Sequence, residues 1–392
     1  MGSGSSKKLS PPSSANCALK NQKKNKTFLL KTLEGHTGAI NAICMSNDQQ
    51  KIITVSEDHT GRVWDIKMEE CIGVLEGHTS YITNCCVSDD YIFTASADCN
   101  IRQWDLKTYE CVRIFEGHSS TVNKIIYSQG LLFSGSYDRT ARCWDVQTGD
   151  LLRTFEGHRR SLFPILLVSN SKRRQTHIDI DSNDGLLITG SADFTAKSWG
   201  INSNKCLVTF KKHTGAVLCL AIDSNNKTLF TGSTDMIICM WDLLSGRHLR
   251  SLKGHYATVL NLQVHNKQLF SSSSDKTVRS WLVEFGDCTR TFKGHTHTIG
   301  CLLVEEGIVI TGSGDGTARV YNTKSGSCKR VFKGHLHGVN AIVLCKRKLF
   351  TGSHDNTLRI WDASKLRDDE DDEDELIEVV TSNRNSSQLT IS

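Results

Sequence analysis

Four short apolar runs recur in a fixed order along this chain. AINAICMS, KIITVS, GRVWDI and CIGVLE make one cycle, and turn residues close each run. Apolar and polar positions alternate over strand length, which reads as half-buried β-strand. Four such strands recur about every forty residues, so the array is not built from helices.

Polar markers keep the same period. A histidine, usually after glycine, stands at His36, His78, His118, His158, His213, His255, His295 and His335. Each is followed by a Ser-x-Asp step: Ser56 and Asp58, Ser96 and Asp98, Ser136 and Asp138, Ser191 and Asp193 in the first half. The second half continues with Ser233 and Asp235, Ser273 and Asp275, Ser313 and Asp315, Ser353 and Asp355. After each Asp comes an aromatic residue: Trp64, Trp104, Trp144, Trp199, Trp241, Trp281, Tyr321 and Trp361. Ser, His and Asp at set spacing could suggest a hydrolytic triad. Eightfold repetition argues instead for paired, buried polar groups that hold the fold.

Stretches such as SYDRTARCWDV and SHDNTLRIWDA resemble the WD40 repeat as they stand. The phrasing FTGS, DRTARCWD and WDLLSG resembles the WD repeat-containing protein 86 group within that family. The resemblance implies an all-β fold, an eight-bladed propeller over residues 28–366, one four-stranded blade per repeat. TFLLKTLE precedes the first Gly-His, and the last repeat stops at TLRIWD. Family ring closure would join these two pieces in one blade and remove a free sheet edge. A seven-bladed ring would leave one well-formed repeat unused and ranks second. The family also implies that His bonds the turn Asp, and that a strand hydroxyl links the His to the Trp indole. The departures are Lys212 before His213, Gly200 and Leu282 after Trp, and Tyr321-Asn322 in place of Trp-Asp. Tyr321 has no indole N–H, so blade 7 is expected to be the loosest.

Composition changes the picture mainly at the ends. Residues 1–27 carry lysines and no acid, and residues 367–392 contain the run DDEDDEDE. Both are expected to be disordered. The fourth repeat is longer than the rest, with an insertion at about 169–183 that includes Lys172, Arg173 and Arg174. No apolar run is long enough to span a membrane, and no secretory signal is seen. The 15 cysteines include no C-x-x-C pair and are read as reduced thiols. Five of them, Cys71, Cys111, Cys206, Cys288 and Cys328, follow the repeat, and Cys85-Cys86 lies in a strand pattern. The opening MGSGSSKK fits the N-myristoylation pattern at Gly2 and Ser6. One acyl chain binds marginally, and a basic patch is the usual second signal.

No phosphate-cradling loop, zincin motif or nucleophile elbow is present, so no catalysis, cofactor or metal is expected. The basic tail has no interleaved aromatics for base stacking, which argues against nucleic acid. The expectation is a monomeric, cytoplasmic scaffold that binds proteins or peptides, with peripheral membrane contact if Gly2 is acylated. The alternative is a substrate receptor or regulatory subunit of a complex such as a ubiquitin ligase. Family resemblance points the partner-binding side chains to the face with the Gly-His loops. They are Asn41, Glu57, Tyr81, Thr83, Thr121, Asn123, Tyr137, Arg139, Phe163, Leu218, Leu260, Lys276, Asn340 and His354. Tyr81, Tyr137 and Phe163 come from successive repeats and could form an aromatic hot spot. The other reading is that they pack on one another at the channel rim. Arg139 and Lys276 stand apart, without the arginine cluster a phosphopeptide receptor needs.

Overall fold

The computed structural model describes residues 28–168, 185–305 and 307–366. The basic tail with Gly2, the insertion in the fourth repeat and the acidic tail lie outside the described residues. Among the described residues thirty-two strands form eight four-stranded antiparallel sheets, and these are the blades. In blades 1 to 7 strand order follows chain order from the inner strand to the outer. Blade 1, for example, runs Ile40–Met45, Lys51–Ser56, Gly61–Asp65 and Glu70–Leu75. Blade 8 is closed by the first strand of the chain. Leu29–Leu33 pairs with Leu358–Asp362 as the outer strand, with Leu29 opposite Trp361 and Leu33 opposite Leu358. Eight blades and this closure match the expectation from the repeat count.

Burial explains the residue choice at each strand. From their second residue on, the second strands hold only apolar residues, Gly, Thr or Ser, because both their faces meet neighbouring blades; in Lys51–Ser56 only Lys51 is not buried. The outer strands are exposed or half-buried along most of their length and carry one buried anchor near their upper end, such as Phe115 or Phe155. The core sits between blades. Phe93, Ile101 and Phe115 of blade 2 pack with Val122, Leu132 and Trp144 of blade 3. The five phenylalanine anchors meet the aromatic residue of the next blade edge-on or tilted, and the other three anchors are leucines. Ring centroids are 5.8 Å apart for Phe115 and Trp144, and 5.4 Å for Phe210 and Trp241. Such pairs add about 1 kcal/mol beyond the area they bury.

The fourth repeat forms a full blade. Its inner strand Leu162–Val168 pairs with Leu186–Ser191 across the insertion. Val168 ends one strand and Leu186 begins the other at the lower face, opposite the Gly-His loops. Leu29–Leu33 starts, and Leu358–Asp362 ends, at that same lower face.

Candidate functional site

The repeated polar residues make one network per blade. In blade 3, Asp138 Oδ2 lies 2.6 Å from His118 Nδ1, and His118 Nε2 lies 2.8 Å from Ser134 Oγ. Trp144 Nε1 donates to the same hydroxyl at 3.0 Å. A carboxylate only accepts, so Nδ1 carries the proton and Nε2 accepts from Ser134. The hydroxyl oxygen then has a lone pair left for the indole. Every member is satisfied by this one pattern of donors.

The bridging hydroxyl is not the serine of the Ser-x-Asp step but the residue two positions earlier. These are Thr54, Thr94, Ser134, Thr189, Thr231, Ser271, Thr311 and Thr351. The marker serine fastens the turn instead. Ser136 Oγ donates to Ser120 O at 3.0 Å and accepts from Asp138 N at 3.1 Å. Residues two apart share a strand face, so both hydroxyls point to the same loop. A Thr or Ser always two before the marker serine was the signal for it.

Blade 7 keeps most of this. His295 stays 2.8 Å from Asp315 and 2.8 Å from Thr311, and Tyr321 fills the indole's place edge-on to Phe292. The departure is therefore confined to one hydrogen bond. Tyr321→Trp should restore it and stabilise the fold by about 1 kcal/mol in denaturant unfolding.

The networks also set the acid limit. Burial pulls the imidazoles of His118, His295 and His335 down from the usual value, and a nearby arginine adds to this. Burial pushes the Asp315 and Asp355 carboxyls up, but hydrogen bonds from Thr317, Thr357 and the loop amides win and hold them at about 2. A depressed carboxyl stabilises the fold above the ordinary value near 3.8 and loses this as pH falls towards about 2. A depressed imidazole works in the same direction below 6.5. Melting temperature should thus fall gently below pH 6.5 and steeply below pH 4, checked by circular dichroism melts across pH.

Above the networks lies the upper face. Tyr81 and Tyr137 are 42% and 37% exposed, which leaves much of each ring open. Tyr137 and Phe163 pack edge to face with centroids 5.7 Å apart. They touch each other and still present Tyr137 to solvent. Glu57, Arg139, Lys276 and His354 are exposed, while Thr121, Leu218 and Leu260 are half-buried. Asn41, Thr83, Asn123 and Asn340 hold the ring itself. Asn41 donates to Ile82 O at 2.9 Å, Thr83 to Val122 O at 2.6 Å, Asn123 to Phe163 O at 2.9 Å and Asn340 to Ile40 O at 3.0 Å. These bonds run from each inner strand to the next blade.

The face also holds residues that spacing from the histidine does not pick out. Phe194 and Met236 occupy the turn after Asp193 and Asp235, at φ of 72° and 69°, and both are exposed. Tyr256 and Leu336, each next to a network histidine, are 82% exposed. Arg159 and Arg160 follow His158, and the Arg160 guanidinium lies 6.0 Å from the Phe194 ring centroid. Ser161 Oγ donates to Tyr137 O at 3.2 Å, so this loop touches the turn that carries Arg139. The expectation that Arg139 stands apart is corrected: three arginines share the upper face of blades 3 and 4. Outer charges are partitioned too. The exposed residue two before the histidine is Glu34, Glu76, Glu116 and Glu156 over one half of the ring. It is Lys211, Lys253, Lys293 and Lys333 over the other half.

A closed ring with internal polar networks, and with aromatic and basic side chains open on one face, defines an interaction propeller. The chain belongs to the WD40 family: the model for the WD domain, G-beta repeat, matches residues 27–65, 69–105, 109–145, 204–242, 246–281, 286–322 and 326–362. The fourth repeat, with its insertion, falls outside these matches but forms a blade. WD repeat-containing protein 86 of Homo sapiens is 59% identical over 192 residues, 49% of this chain and 51% of that protein. The match thus spans about half the length of that relative. Coatomer subunit beta'-2 of Arabidopsis thaliana is 37% identical over 57 residues, 14% of this chain and 6% of that protein. The crystal structure of the computationally designed Ika8 protein superposes with a TM-score of 0.75 at 28% identity, covering 85% of this chain and 99% of that one.

Proposed function

We propose that this protein is a non-catalytic scaffold that holds partner proteins on its upper face, centred on blades 3 and 4. The observation that carries this reading is the grouping of Tyr137, Phe163 and Phe194 beside Arg139 and Arg160. Partly exposed aromatics with arginines are the usual anchors of protein interfaces. Partners of fitting chemistry are peptide segments with apolar anchors flanked by acids. The split of outer Glu and Lys would orient such partners during encounter.

Tyr137→Ala/Phe163→Ala should keep the melting temperature within a few degrees, because both rings sit on the surface side of the networks. The same variant should lose most partners in affinity capture from cells. A full partner set on this variant would reject the site. Co-purified ligase subunits would favour the alternative of a substrate receptor in a ubiquitin ligase.

The lower face supports a tether. Leu29 and Asp362, the outermost strand residues at the two ends of the propeller, lie at it, so an acylated Gly2 would turn the upper face towards the cytosol. Labelling with a clickable myristate analogue, with Gly2→Ala as control, tests this. Label that depends on Gly2, with membrane recovery, supports the tether; no label removes it.

A further inference from the structure

Blade 5 departs from the other repeats at two positions that meet in space. In six blades an arginine of the third strand lies against the glycine before the network histidine. A Cβ built on Gly35, Gly77 or Gly254 would come within 2.8–2.9 Å of the guanidinium of Arg62, Arg102 or Arg279. A side chain at the glycine would therefore have to push the end of the arginine aside. In blade 5 the glycine is Lys212 and the arginine is Cys239. The lysine fits because the guanidinium is gone. Blade 4 has the milder pair, Gly157 and Lys197.

The exchange leaves a cavity of about 380 Å³ between the 212–214 loop and the third and outer strands of blade 5. Lys212 and Lys253, both exposed, stand at its mouth. His248 Nε2 and Ser251 Oγ, 3.0 Å apart, line the outer wall. Cys239 closes the floor, with Sγ 3.8 Å from Ser251 Oγ and 4.0 Å from His213 Nδ1. The lining carboxylate, Asp235, is already engaged. It accepts from His213 Nδ1 at 2.8 Å, Thr214 N at 2.9 Å and Ile237 N at 3.0 Å.

We infer that this cavity is an anion site that takes a phosphoryl group. Two ammonium groups match a dianion and repel a cationic guest that would replace the lost guanidinium. Lysine binds phosphate as a point charge, and with His248 Nε2 donating to Ser251 Oγ the serine hydroxyl keeps its own proton to give to the anion. These groups come from a loop and an edge strand on different walls of the cavity. That suits a tetrahedral group better than a flat carboxylate. His248 packs against Trp241, with centroids 5.2 Å apart, so occupancy has a built-in reporter.

The test titrates the full chain with inorganic phosphate and follows the histidine ring signals by NMR, with sodium chloride at matched ionic strength as control. A saturable shift at His248 that chloride does not produce is expected. Lys212→Ala/Lys253→Ala should weaken it at least tenfold without changing the phosphate-free melting temperature, because both residues are exposed. Cys239→Arg/Lys212→Gly, which rebuilds the common arrangement, should abolish it. Parallel titrations with a sugar phosphate and a phosphoserine peptide separate the sources. Tighter binding of the first identifies a metabolite, and of the second a modified partner; both keep the site. No saturation by any of the three probes overturns the proposal. So does equal response to chloride, or unchanged affinity in the double lysine variant, which also covers the case where the arginine variant does not fold.

Discussion

Asp138→Ala is expected to destabilise the propeller by about 3 kcal/mol, the size seen when a buried charged hydrogen-bond partner is removed. The carboxylate collects four donors: His118 Nδ1 at 2.6 Å, Ser119 N at 3.1 Å, Thr140 N at 2.9 Å and Thr140 Oγ1 at 2.7 Å. Alanine leaves all four without an acceptor, and the His118 side chain is only 1% exposed. Ring tautomer is lost as well, because nothing then holds the proton on Nδ1. Ser134 and Trp144 feel this through His118. Asp138→Asn keeps one acceptor oxygen and should cost less. For a domain of this size the alanine variant should melt about 6 °C lower by calorimetry. A drop under about 1 °C would mean that water replaces the carboxylate at this loop, and that the network is not what fastens it.

The same network shows what the sequence reveals and what it hides. Blade number was legible because each blade repeats a polar residue that cannot be buried unpaired. Even the fourth repeat was visible, since His158, Asp193 and Trp199 survive its insertion. The closure was legible because one strand precedes the first repeat and the last repeat is one strand short. Partner residues were read by their distance from the histidine, and this reading mixes two kinds of position. Tyr137 and Arg139 sit in a turn and face out; Asn41, Asn123 and Asn340 donate across the ring to the next blade. That difference depends on how adjacent inner strands are staggered, which no single repeat encodes. Phe194 and Met236 were hidden for another reason. Their turn has positive φ, where glycine or asparagine is the ordinary choice, so a large apolar side chain there is not anticipated. The paired change at Lys212 and Cys239 is likewise a contact between elements far apart in sequence.

Ring closure carries the second large effect. A chain that begins at Glu34 should fail to fold as a monomer. Leu29–Leu33 supplies the whole outer strand of blade 8. Leu33 packs with Ile40, Phe350, Leu358 and Ile360, and Phe28 and Leu29 pack on the cluster that holds Phe332 and Trp361. Phe28 is fixed further: its carbonyl accepts from Asp362 N at 2.8 Å, and the Arg330 guanidinium lies 4.2 Å from its ring centroid. Burying three such side chains contributes about 5 kcal/mol, before the ladder bonds are counted. Domain stability is of the order of 5–15 kcal/mol, so this loss is comparable to the whole. The truncation also bares the edge of Leu358–Asp362, a template for pairing with other chains. Aggregation or strong loss of protection in hydrogen exchange across Leu358–Asp362 is the expected result. A synthetic peptide of residues 27–34, added in trans, should restore protection there first, because the register of Leu33 against Leu358 and Leu29 against Trp361 is set by their own side chains. If the truncated chain melted as the full chain does, blade 8 would be stable with three strands, and the ring would be held by contacts between blades and not by its closing strand.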